Sequence, residues 1–239
     1  MSDISIAPQS GSDAELYAAL SHSRMKPYLR ATNQHRKNAI ALYRWNMGIS
    51  GAFYQGLHVF EVALRNSMDA RLRAWNARQV DDRGHPFDAE WCRRPDPLLA
   101  RILGADPSNA LDRAEKELQI KGLTRSPTHD DIVAQLNLGT WRFLLPSHSD
   151  AGKAQIWQDE LSGAFPYLTR PLQQLIDAVD GVYGLRNRIA HLEPLIGTNL
   201  EAQYRNMQTV LGDIEPRVRD WFVNTSPIRS ILDRRPIFE

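Results

Sequence analysis

From Asn33 to Trp75 the large apolar side chains return every three or four positions: Ile40, Tyr43 and Met47, then Phe53, Leu57, Phe60, Leu64 and Met68. A spacing of about 3.6 residues lays them on one stripe of a helix, which a strand of period two cannot do. Gly48, Gly51 and Gly56 punctuate the stretch, predicting either two helices or close approach of a neighbouring helix. The same period recurs at Leu172, Leu175, Ile176, Val179 and Tyr183, behind Thr169 and Pro171. It returns in residues 150–165 (Ile156, Trp157, Leu161) and again from Asn199 to Phe222 (Tyr204, Met207, Val210, Leu211, Ile214, Val218, Trp221). Ser108 to Gln119 reads as a helix capped by Ser108, and Thr128 with Asp131 as a capping box before Ile132, Val133 and Leu136. No segment alternates long enough to require a strand. The expected fold is an all-α bundle.

Residues 1–12 are small and polar and predict a flexible tail, with Ser12 capping a short helix to Leu20. Residues 78–108 hold four prolines and many Asp and Arg, so they read as a long irregular connection with one helical turn, functional or mobile. One domain is expected over 13–239: N-terminal helices 13–77, an insertion 78–127, and helices 128–239.

The chain has 239 residues, 42% hydrophobic and 24% charged, enough for its own core. No apolar run approaches the roughly 18–20 residues of a membrane span, and the first thirty residues lack a charged start and apolar block. A cytoplasmic protein with no membrane partner is therefore expected. Cys92 is the single cysteine, which excludes an internal disulfide and a cysteine zinc cluster. H-E-x-x-H, C-x-x-C, the P-loop, G-x-G-x-x-G and G-x-S-x-G are all missing, so no metal site and no cofactor is expected.

Net charge is +1, but residues 22–73 hold nine basic side chains against Glu61 and Asp69, with Tyr28, Tyr43, Trp45, Phe53 and Tyr54 between them. Arginine outnumbers lysine 24 to 5, and its fork suits phosphate. Interleaved arginines and aromatics are a footprint of single-stranded nucleic acid, with Arg30, Arg36, Lys37 and Arg44 as the candidate RNA patch. Solvated arginines over core aromatics account for the same composition equally well.

The chemistry concentrates in residues 184–194, where Arg186, Asn187, Arg188 and His191 follow an amphipathic helix. A guanidinium grips phosphate oxygens at two points, and an imidazole exchanges protons near neutral pH. RNA cleavage by its own 2′-hydroxyl needs both. Arg-x4–6-His also occurs at Arg30–His35, Arg78–His85 and Arg142–His148. Only Arg186 is followed by Asn and set among Leu185, Ile189, Ala190 and Leu192.

The string LRNRIAHLEPL, Leu185 to Leu195, resembles the signature of the Abi-like (AbiD/AbiF-type) abortive-infection proteins of the HEPN superfamily. FEVALRN at Phe60–Asn66, Trp141 to Pro146, Trp157 and Phe165-Pro166 match that group's landmarks in order, so the resemblance spans about residues 35–200. It implies a HEPN-like helical bundle with added N-terminal helices, acting as a metal-independent endoribonuclease in anti-phage defence. Arg186 would contact the scissile phosphate, His191 would move the proton and Asn187 would orient them. One motif copy per chain implies a homodimer with a composite site, and a small RNA or protein antitoxin is a possible partner. Leu192 departs from the family, where a second histidine is common. Glu61, Arg65 and Asn66 read either as an i, i+4 pair supporting the motif or as RNA contacts, with Arg188 a second guanidinium nearby. The alternative function is a catalytically silent HEPN-like module that binds RNA or a partner.

Overall fold

The long apolar stripe is one unbroken helix, α3 (Arg36–Asn76), whose 41 residues extend about 60 Å at 1.5 Å per residue. The computed structural model describes residues 13–146 and 149–238, and helices from both ends of the chain pack along this spine. The tail reading of residues 1–12 and the capping by Ser12 lie outside the described residues. Before α3 come α1 (Asp13–Leu20) and α2 (His22–Ala31); His35 caps α3 by accepting the Asn38 amide. Of the two readings of the glycines, close approach holds at Gly56. A Cβ there would lie 3.1–3.2 Å from Met207, Phe222 and Ile228, so three later segments meet the spine at that point. The helix does not break.

The connection after α3 is more ordered than its prolines suggest. Irregular chain runs only to Asp96, and Pro97 and Pro107 each sit in the first turn of a helix. Proline suits a first turn, whose amide has no partner to lose. These helices are α4 (Pro97–Leu103) and α5 (Asp106–Ile120). Ser108 lies inside α5 rather than capping it; Ala105 holds the cap position without a side-chain bond. The irregular part is stapled by buried Asn76, whose amide donates to the Asp88 and Arg94 carbonyls and whose oxygen accepts the Asp96 amide at 2.8 Å. Trp91, Leu99, Ile102, Ala110 and Ala114 all join the core, which runs as one cluster from Met25 to Ile228.

Thr128 and Asp131 form the expected capping box on α6 (His129–Val133). Arg125 joins it, and that pairing with the Thr128 bonds holds the Asp131 carboxyl far below its ordinary range. Next come α7 (Leu138–Leu144) and α8 (Ala151–Asp159). Asp150 caps α8, and its carboxyl is pulled down to about 2 by Arg101 and the α8 amides. The helix expected to reach Phe165 stops at Asp159, and Leu161–Ala164 continues as a 3-10 turn. The chain then enters α9 (Leu172–Ala190), which pairs with α10 (Leu200–Ile214). The single helix expected from Asn199 to Phe222 is divided, because Pro216 lacks the amide to continue α10 and forces Glu215 extended. The chain restarts as α11 (Pro216–Thr225) and ends in α12 (Ile228–Leu232). No strand occurs among the described residues, where an isolated bridge joins Val80 and Pro86. No helix among them is long and apolar enough to cross a membrane.

Candidate functional site

The last turn of α9 carries Arg186, Asn187 and Arg188, and His191 is its C-cap. The helix ends in two closing bonds, Leu192 N–H to the Ile189 carbonyl (3.0 Å) and Glu193 N–H to the Arg188 carbonyl (2.8 Å). This Schellman arrangement needs a left-handed residue next, a place glycine usually takes. Here it is Leu192, at φ 57°, with its side chain 69% exposed. Neither backbone preference nor core packing asks for leucine there. Arg188 turns to the following loop, donating to Thr198 Oγ1 at 2.7 Å and pairing with Glu193. The loop is anchored to the spine by buried Asn46, whose oxygen accepts the Leu195 amide at 2.7 Å.

Between this helix end and the middle of α3 lies an open cleft of about 630 Å³. Its α9 side presents Arg186, Ile189 and Ala190, with Leu192 beyond; its α3 side presents Gly51, Tyr54, His58 and Glu61. Positions 51, 54, 58 and 61 share a helix face distinct from the core stripe of Phe53, Phe60 and Leu64, and Leu57 of that stripe also lines the cleft. Arg186 is in no ion pair among the described residues, and its nearest polar contact is Asn187 Oδ1 at 3.4 Å. Glu61 is half-buried. Burial pushes its carboxyl above the ordinary range, against the opposing pull of Arg186, Arg65, the Leu138 amide and His58. Neighbouring cations and an amide thus hold a charge that the apolar wall disfavours.

The structure brings Arg186 and Glu61 together but leaves His191 exposed at the helix tip, outside the cleft of its own chain. The simple i, i+4 pair of Glu61 with Arg65 does not close into an ion pair; Arg65 instead donates to exposed Asn66 at 3.4 Å. Arg30, Arg36, Lys37 and Arg44 are all exposed around the α2–α3 corner, with Arg36 stacked on Tyr17. Lys37, Arg44, Gly51, His58 and Arg65 follow at seven-residue steps, so they drift only about 20° per step round the helix. The basic patch therefore leads along α3 into the cleft. Its aromatics do not follow. Tyr28, Trp45 and Phe53 are core, Tyr43 is half-buried, and burial pushes the Tyr28 hydroxyl up to about 12. Tyr54 alone of those five stands out, 70% exposed. Sequence patterning names Tyr54 only as one of five interleaved aromatics and does not single out His58 or Asn46; the signal of Tyr54 and His58 is a second stripe on α3, masked by the stronger apolar one.

Further along α3, Asp69 accepts the Trp91 indole N–H at 2.8 Å and the His129 Nε2–H at 2.9 Å. All three are buried, and His129 Nδ1 finds no partner. Cys92 beside them is a buried thiol whose titration burial and Asp69 push upward. Among the described residues no group of three or more His, Cys, Asp or Glu side chains converges as a metal site. No family model, curated protein or solved structure matches the chain.

Proposed function

We propose that this protein is a metal-independent endoribonuclease of the HEPN type, working as a homodimer in anti-phage defence. The observation that carries the reading is an Arg186 guanidinium outside any ion pair among the described residues, facing a cleft that a basic track along α3 enters. A guanidinium so placed suits a phosphodiester, and Arg44, Lys37, Arg36 and Arg30 suit the flanking phosphates. Tyr54 offers a face on which an unpaired base can stack. In the reaction the 2′-oxygen attacks the adjacent phosphorus and the bond to the 5′-oxygen breaks, with Arg186 steadying the crowded phosphate.

His191 sits on the helix tip beside, not inside, its own cleft. That placement favours a composite site in which a second copy brings its helix end to the same phosphate. Asn187, in contact with Arg186, orients the fork. An antitoxin, RNA or protein, would act by covering this cleft.

The test is purified protein with single-stranded RNA in excess EDTA. Cleavage should persist and leave 2′,3′-cyclic phosphate ends, and light scattering should show a dimer at micromolar concentration. Activity lost in chelator and restored by magnesium would overturn the mechanism. Binding without cleavage would select the silent RNA-binding module.

A further inference from the structure

The proposed cleavage moves two protons. The 2′-hydroxyl releases one as the new O–P bond forms, and the departing 5′-oxygen takes one up as the old bond breaks. His191 supplies one position for such a transfer, yet within a chain it lies outside the cleft that holds Arg186.

His58 lies inside that cleft. It projects from α3 one turn before Glu61, and both line the space opposite Arg186. Its ring is exposed and makes no hydrogen bond or ion pair among the described residues. Three other histidines are occupied, His35 capping α3, His85 pairing with Asp81 and His129 bound to Asp69, whereas exposed His22 and His191 lie outside the cleft. Glu61 is close enough to His58 and Arg186 for both to act on its carboxylate. A proton-transfer ring, a carboxylate and a phosphate fork thus share one concave surface of a single chain.

We infer that His58 is the second proton-transfer group of the reaction, with Glu61 as the carboxylate beside it in the cleft. The inference rests on the ribonuclease reading. The balance is complete with two imidazoles: one accepts the 2′-hydroxyl proton, the other gives its proton to the 5′-oxygen, and no oxidant or metal enters. Cleavage yields a 2′,3′-cyclic phosphate and a 5′-hydroxyl.

The decisive measurement compares wild type with His58→Ala and His58→Gln, by cleavage of single-stranded RNA, filter binding and thermal melting. Because the ring is exposed, both variants should melt as wild type does. Cleavage should fall about 10²- to 10⁴-fold while affinity stays within about twofold, and added imidazole should restore part of the rate to His58→Ala. Cleavage within about threefold of wild type would overturn the assignment and leave the ribonuclease reading standing. So would a loss that tracks weakened binding and ignores imidazole. A wild type that cuts no RNA would overturn both.

Discussion

Two regions of α3 hold the same three kinds of side chain on opposite terms. Asp69, His129 and Trp91 form a buried knot in which both ring N–H groups are spent on one carboxylate oxygen. Glu61, His58 and Tyr54 line an open cleft, and there neither the imidazole nor the phenol ring is engaged by the described residues. The two carboxylates are eight residues apart, which places them about 80° apart round the helix and about 12 Å along it. One faces the folded-back insertion; the other faces the end of α9. Closed polar groups fasten the fold, and open ones remain available to a ligand.

The contrast predicts opposite phenotypes. His191→Ala should lower RNA cleavage about 10²- to 10⁴-fold and leave affinity and melting temperature nearly unchanged. If cleavage survives, or if folding is lost with it, His191 is only a helix cap. Asp69→Ala should do the reverse. It strands the Trp91 and His129 donors in the interior, which costs about 3–5 kcal/mol and lowers the melting temperature by roughly 10 °C. Circular dichroism melts of the two variants side by side read the difference, and an unshifted melt for Asp69→Ala would dissolve the knot as a fastening.

A smaller effect belongs to the basic track that leads into the cleft. Arg36→Ala with Lys37→Ala should weaken RNA binding across sequences and reduce the salt slope by about one for each phosphate no longer neutralised. The cleavage rate of saturated enzyme should hold. Filter binding at several salt concentrations measures this, and an unchanged slope would detach the patch from the cleft.

The smallest effect concerns Glu61. Its carboxyl is held above the ordinary 4.5 by burial, so the folded chain keeps a proton that the unfolded chain has already released. Stability therefore falls as pH rises through that window, and the penalty is fully present at neutral pH. Glu61→Gln should raise the melting temperature by about 2 °C at pH 7–8, with the gain vanishing near pH 4. A lower melting temperature at pH 7 would show that Arg186 and the Leu138 amide more than offset the burial.

Helices and caps were legible because their causes are local. The stripe from Ile40 to Met68 predicts α3, Thr128 with Asp131 predicts the start of α6, and Asp150 marks the start of α8. Arg186, Asn187 and His191 gather at one helix end through spacing along the chain alone. Prolines misled in both directions. Pro97 begins a helix where the composition predicts irregular chain, Pro107 sits in the first turn of the helix expected from Ser108, and Pro216 divides a helix that the apolar period predicts to be continuous. Each turns on whether its neighbours supply a helix before or after it.

The sequence by itself determined that the described elements are helices, where their apolar stripes run, and that arginine and histidine both lie near the end of α9. Period and capping act over three or four residues, so they can be read without knowing what lies across the core. Only the tertiary structure decided which polar residues on α3 are closed and which are open. Asp69 is covered because Trp91 and His129, 22 and 60 residues away, fold onto it. Tyr54 is bare where Phe53 beside it is buried, and Gly56 rather than Gly51 receives the later helices. A side chain's burial depends on what distant segment lies over it, and that is settled by packing the whole bundle rather than by the residue or its neighbours.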